Sequence, residues 1–195
     1  MKPEEILAAA FQSNLSVNDT VRNDARRDTR LLELMRYAVK LGRRRKGLLM
    51  SNNGNAAAVC YDPTQKSNFF TETFAQLKLV HQVIGWNRLF YILKKDKQVA
   101  ARRPAYPHYY LFLIGTNTQA QGSGEGSEVL QQILQRAQQE GKEVYLETSV
   151  DKNIPFYEKR GFEVFDTWLV REGYLIRFRF NGKKWLVKIA ETQYK

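Results

Sequence analysis

Apolar positions recur at two different periods along this chain, and the change between them divides it. The N-terminal spacing is helical. Ile6, Leu7 and Phe11 fall on one side of a short helix over Pro3 to Phe11. Leu31, Leu34, Met35 and Ala38 recur in the same way within Val17 to Leu41, which predicts one or two helices ended by Gly42. A solvated basic turn, Arg43 to Lys46, follows. Leu48 to Ser51 and Ala56 to Tyr61 are short apolar runs around Asn52-Asn53-Gly54-Asn55, a hairpin signal, and Asp62-Pro63 ends the second strand. Phe70, Phe74, Leu77, Val80, Ile84 and Leu89 return to intervals near three and four, so Phe69 to Lys95 is expected to be helical, with a break at Gly85. Ala100 to Pro107 reads as a loop.

The second half alternates strands with helices. Tyr109 to Ile114 is apolar on both faces, as a central strand should be. Ser127 to Glu140 turns Val129, Leu130, Ile133, Leu134 and Ala137 to one side, and Gly141 stops it. Val144 to Thr148 is the next strand, parallel to the first across this crossover. Asn153 to Arg160 is a short helix before Gly161. Phe162 to Val170 and Tyr174 to Phe180 are strands, and Asn181-Gly182 turns the chain into Lys184 to Ile189. No repeat or linker interrupts the pattern, so residues 1–195 are expected to form one α/β (α+β) domain.

Between the central strand and its helix lies Gln121-Gly122-Ser123-Gly124-Glu125-Gly126. A glycine loop entering a helix N-terminus presents backbone N–H groups to an anion, so this is a phosphate cradle. Three patterns compete for it. The P-loop lysine is missing. The dinucleotide fingerprint is met by Gly122 and Gly124, with Ser127 in its third slot and Glu147 further on as an acid. That fingerprint needs its first glycine right after the strand, and Thr116, Asn117, Thr118 and Gln119 intervene here. Gln-x-x-Gly-x-Gly is met in full by Gln121, Gly124 and Gly126.

This third pattern resembles the coenzyme A pyrophosphate loop of the GNAT superfamily of acetyltransferases. The likeness runs without a gap from Tyr110 to Leu130. It resumes at Leu146-Glu147-Thr148-Ser149 and at Asn153-Ile154-Pro155-Phe156-Tyr157-Glu158-Lys159-Arg160-Gly161-Phe162. It implies a GNAT-like fold, a mixed and partly splayed sheet flanked by helices, with a coenzyme-binding core at about 109–162. It implies acetyl-CoA as cosubstrate and direct attack by a primary amine of a small molecule or peptide. The pantetheine arm would lie between the splayed strands, against the backbone of Ile114, Gly115 and Thr116. The amides of Gln121, Gly122, Ser123, Gly124, Glu125, Gly126 and Ser127 would hold the pyrophosphate. Asn153, Phe156, Tyr157 and Lys159 complete the implied coenzyme set. Asn153 either bonds the pantetheine arm or caps the helix.

Transfer to an amine needs a base for its proton and an acid for the departing thiolate. Tyr157 stands where the family carries its general acid, and a phenol, pKa ~10, is close to a thiol in acidity. The base stays open: Glu72, Glu147, His108 or a chain of waters. The acceptor pocket is expected from Phe69, Phe70, Trp86, Phe90, Tyr91 and Tyr109, residues that would serve equally as core. An oxidoreductase using the same glycines is the competing enzyme reading. A non-catalytic module that binds coenzyme A or a polyanion is the competing binding reading.

Composition bounds the rest. A charged fraction of 26% and a hydrophobic fraction of 43% are ordinary for a soluble globular chain. Met1 to Asn14 lacks the pattern of a signal peptide, and no apolar run approaches the ~20 residues that span a bilayer, so no membrane partner is expected. One cysteine, Cys60, excludes an internal disulfide and a cysteine metal site, and two histidines leave little for zinc. No metal and a cytoplasmic setting are expected, as monomer or homodimer. The net charge of +11 suits a polyanionic cosubstrate. Apart from Arg43-Arg44-Arg45-Lys46 the cations are scattered and no RNA-binding motif occurs, so nucleic acid is not the expected partner.

Overall fold

Strand alternation sorts the core into two halves. In the strand Ala56–Tyr61, Ala56, Ala58 and Cys60 join one buried cluster, while Ala57 and Val59 join another. Side chains of one strand point alternately to opposite faces, so a single sheet is covered on both sides. The computed structural model describes residues 1–65, 79–170 and 173–181. In chain order these form helices α1 (Pro3–Ala10), α2 (Leu15–Thr20) and α3 (Arg27–Arg44), strands β1 (Leu48–Met50) and β2 (Ala56–Tyr61), and helix α4 (Trp86–Ala101). Strand β3 (Tyr109–Thr116), helix α5 (Glu125–Gln139), strand β4 (Glu143–Thr148) and helix α6 (Ile154–Glu158) follow. Strands β5 (Glu163–Val170) and β6 (Gly173–Asn181) complete them.

The six strands lie in the order β1-β2-β3-β4-β6-β5. Among the described residues only the β3–β4 contact is parallel. The fold is therefore the mixed α/β arrangement expected. Helix α5 covers one face, burying Val129, Leu130, Ile133 and Ala137 against β2, β3 and β4. Each large aliphatic side chain so buried contributes ~1.5–3 kcal/mol. On the other face, α1, α3 and the segment before α4 pack Ile6, Leu7, Leu31, Met35 and Val83 over Ala57 and Val59.

Several boundaries move from the expected ones. Gly42 does not end α3: it is buried within the helix, where an added Cβ would stand 3.1 Å from a Val59 methyl. Close packing against β2, rather than a C-cap, accounts for it. Lys46, with φ 52°, turns the chain instead. The expected Val17 to Leu41 stretch divides into α2 and α3. Gly85, with φ 81°, does separate a π-helical turn, Val80–Ile84, from α4. Helix α4 extends to Ala101, into the expected loop. The expected strand after Gly182, and Phe69, Phe70, Glu72, Phe74 and Leu77, lie outside the described residues.

Candidate functional site

β3 carries one residue more than its partner. Val59 stands opposite Leu113 and the adjacent Cys60 opposite Leu111, so Phe112 is the extra residue of a bulge. A bulge bends its strand and sharpens its twist. The bend has a consequence on the other edge. β3 pairs with β4 only at Tyr109 and Tyr110, opposite Val144 and Tyr145. Beyond that point β3 follows β2 to Thr116, and β4 follows β6 to Thr148. The two strands diverge and leave a wedge between facing edges that pair with no strand there among the described residues. Ile114, Gly115 and Thr116 lie along it.

At the open end of the wedge the chain enters the glycine loop. Asn117 donates its N–H to the Asn55 carbonyl at 2.7 Å, and its side chain accepts from Gln119 at 3.3 Å. Gly122 and Gly124 have φ of 86° and 88°, a region that glycine occupies freely. Gly124 is the residue before α5. The Ser123 N–H turns inward to the Ala120 carbonyl. The amides of Gly122, Gly124, Glu125, Gly126 and Ser127 find no acceptor among the described residues. First-turn amides carry the positive end of the helix dipole, so they form an anion cradle. Gln121, Ser123 and Lys159 are exposed.

Not every residue of the loop faces outward. The Glu125 carboxylate is buried and accepts from the Ser51 hydroxyl, the Asn55 N–H at 3.0 Å and the Asn55 side-chain amide at 2.9 Å. These bonds, Ser51's first, hold its pKa below the usual carboxylate value. Glu128 accepts from the Asn52 N–H at 3.0 Å. Both acids thus tie α5 to the β1–β2 turn and leave the loop amides uncovered. Gly126 has a reason to be small beyond the one its motif suggests: an added Cβ would come within 2.8 Å of the Thr116 hydroxyl. Gly115 likewise gives room to α1, where a Cβ would meet that of Ala10 at 2.6 Å.

Sequence reasoning missed Arg160. Its guanidinium lies 3.9 Å from the Phe156 ring centre and donates to the Phe156 carbonyl at 2.7 Å and to the Ser127 hydroxyl. A fixed cation therefore stands beside the cradle. Lys159, its exposed neighbour, makes no contact with the loop among the described residues. The motif pointed to a cation here, and the structure turns Arg160 toward Ser127.

A cavity of about 540 Å³ runs through the wedge, bounded by Leu111, Leu146, Thr148 and Tyr157 on one side and by α2, α3 and α4 on the other. Tyr157 is buried between Phe156, Phe162 and Phe178. Its hydroxyl has no hydrogen-bond partner among the described residues, and burial pushes its pKa up to about 12. Asn153 donates to the Thr148 hydroxyl at 3.2 Å and does not cap α6. Ser149 lines the same cavity with a buried, unpartnered hydroxyl.

On the opposite face Glu147 reaches the cavity beside Arg103 and Tyr110. Its oxygens have no hydrogen-bond partner among the described residues, while Arg177 Nε and Arg103 Nη2 stand 3.5 and 3.6 Å away. Arg103 stacks on Tyr110, 3.4 Å from the ring centre. His108 is elsewhere, before the paired end of β3. It is buried against Tyr145, its Nδ1 is 2.8 Å from the Tyr106 carbonyl, and burial lowers its pKa. The described aromatic residues expected to line an acceptor pocket, Phe90, Tyr91 and Tyr109, do not line this cavity. Tyr37, Tyr61, Tyr110 and Phe112 do.

Among the described residues no cluster of three metal-ligating side chains occurs, and no helix is long and apolar enough to cross a membrane.

A model of the acetyltransferase (GNAT) family matches residues 58–162. Solved structures share the fold at low identity. The Corynebacterium glutamicum histone acetyltransferase HPA2-related acetyltransferase aligns with 92% of this chain and 88% of its own, at 17% identity and a TM-score of 0.67. The Drosophila melanogaster polyamine N-acetyltransferase, which forms N-acetylagmatine, covers 91% and 92% at 16% identity, with a TM-score of 0.54. The C-terminal condensation domain of Ebony, solved with beta-alanyl-dopamine, covers 91% and 92% at 9% identity, with a TM-score of 0.59.

Proposed function

The chain belongs to the acetyltransferase (GNAT) family, and from that premise we propose that it moves an acetyl group from acetyl-CoA to a primary amine by direct attack in a ternary complex. The observation that carries this is the wedge between β3 and β4, continuous with a cradle of free amides. Bound acetyl-CoA would supply the thioester. The residues present fit it: the amides of Gly122 and Gly124 to Ser127, with Arg160 beside them, match a pyrophosphate. The open edge of β3 from Ile114 to Thr116 matches the amides of a pantetheine arm. Asn153 and Ser149 would border the arm's path, and Phe156 carries the Arg160 guanidinium beside the cradle.

The two faces of the wedge then divide the proton chemistry. Glu147, on the face opposite α5, takes the proton of the attacking nitrogen, directly or through water. Its place in the cavity lining, with oxygens that the Arg177 and Arg103 guanidiniums approach only to 3.5 and 3.6 Å, supports this. His108 precedes β3 and is not among the described residues that line the cavity, which argues against it. As the C–N bond forms and the C–S bond breaks, Tyr157 donates its phenolic proton to the departing sulfur from the α5 side. The relatives named above act on, or were solved with, chemically different amines, so the family does not choose the acceptor. A dinucleotide oxidoreductase is disfavoured, because β5 and β6 are antiparallel and extend no doubly wound sheet.

Melting curves with acetyl-CoA and with NAD test the reading. A ligand at a hundredfold excess over Kd adds ~2.7 kcal/mol of stability. Acetyl-CoA is expected to raise the melting temperature and NAD to leave it unchanged. The reverse pattern overturns the proposal.

A further inference from the structure

We infer that the acceptor is a primary amine carried on an apolar body, and that the wall built by α2, α3 and α4 is its specificity site. The inference rests on the acetyl-transfer reading and deepens it. The cavity of about 540 Å³ lies within the ~300–1,000 Å³ of small-molecule sites. Beyond the wedge its wall is mostly aliphatic, with Val17, Leu34, Met35, Leu41, Leu89 and Ile92, while Ser16, Thr20, Tyr37, Lys95 and Asp96 also line it. Leu34, Leu41 and Leu89 are half-buried, so the wall is accessible apolar surface. A ligand covering it gains from every methylene it removes from water.

The charges argue in the same direction. Among the described lining residues two cations, Lys95 and Arg103, balance two acids, Asp96 and Glu147. Lys95 donates to Ser16 at 3.1 Å. Glu147 stands at the wedge, where the reacting nitrogen arrives, beside two guanidiniums. A polyamine must place a second ammonium further in, against a largely aliphatic wall whose one described acid, Asp96, already has the Lys95 charge beside it. An alkyl or arylalkyl amine presents one nitrogen to the wedge and an apolar remainder to the wall.

The test is an acceptor series of propylamine, butylamine, hexylamine and phenethylamine beside putrescine and spermidine. It is read by thiol release and by calorimetric binding of each amine to the coenzyme A complex. The expected result is that kcat/KM rises about three- to fourfold per added methylene up to the length of the cavity. Putrescine and spermidine should fall at or below propylamine. Leu34→Gln, at a half-buried position, should flatten the slope, with its melting curve confirming the fold. Turnover that favours putrescine or spermidine over hexylamine overturns the inference and leaves acetyl transfer standing. Binding that tightens with chain length but without turnover of any amine upholds the apolar site and overturns the acetyl-transfer reading. Hexylamine that neither binds nor reacts overturns the inference outright.

Discussion

Tyr157 shows what a single residue's surroundings add to its sequence position. The motif placed it, and the ordinary acidity of a phenol made it a match for a thiol. Burial among Phe156, Phe162 and Phe178 then pushes the phenol up to about 12. A thiolate leaving into the same apolar wedge is destabilised by the same desolvation, as the raised pKa of the buried Cys60 illustrates. Tyr157→Phe keeps the ring and its packing. It is expected to lower kcat by ~10²–10⁴, the range of a general acid–base group, with little change in melting temperature or coenzyme affinity. Because the raised group keeps its proton as pH rises, kcat should not lose an acid between pH ~8 and ~10. Steady-state thiol release across that range checks both points, and near-parental turnover in the variant would refute the acid role. Arg160 gives a second prediction. Charged hydrogen bonds are worth ~1.5–3 kcal/mol, so Arg160→Gln should weaken coenzyme binding by roughly tenfold or more. Lys159→Gln should change it little. Calorimetry on both variants separates these neighbours, which the sequence could not, since their contacts depend on where α6 meets α5.

Among elements, the loop and helix α5 were legible and the bulge was not. Strand, glycine loop and helix follow from local patterning, and the structure places them within two residues of the expected bounds. The bulge at Phe112 leaves no local signal. It appears only when β3 is laid against β2, and it is what parts β3 from β4. The same limit applies to Glu125, which the motif treats as a backbone donor but which holds α5 to the β1–β2 turn from 70 residues away. Its folded pKa is depressed below 4.5, so its stabilising contribution is present above the unfolded value. That contribution is lost as pH falls through the folded pKa. Parent and Glu125→Gln should therefore differ in melting temperature at pH 7 and converge toward pH 3. A difference that is constant with pH would mean that the carboxylate charge is not what ties the turn to the loop. Gly126 also belongs to this scale. With Thr116 2.8 Å from an added Cβ, Gly126→Val should lower melting temperature and coenzyme affinity together.

At the scale of the whole molecule, two faces of one sheet converge on one gap. The face under α5 brings the cradle, Arg160 and Tyr157. The other brings Glu147 and the leucine wall. The proposed coenzyme half had a signal in the sequence because its motif blocks lie close together, between Tyr110 and Phe162. The acceptor half was not, because its wall gathers residues from Val17 to Ile92, whose spacing marks them only as core. The central claim, that an amine on one face takes an acetyl group delivered from the other, is tested most directly by following product and thiol together. Purified protein, acetyl-CoA and hexylamine should yield N-hexylacetamide and free coenzyme A thiol in equal amounts by mass spectrometry and thiol titration. Thiol without acetamide, or a melting shift with acetyl-CoA and no acetamide from any amine, would contradict the account.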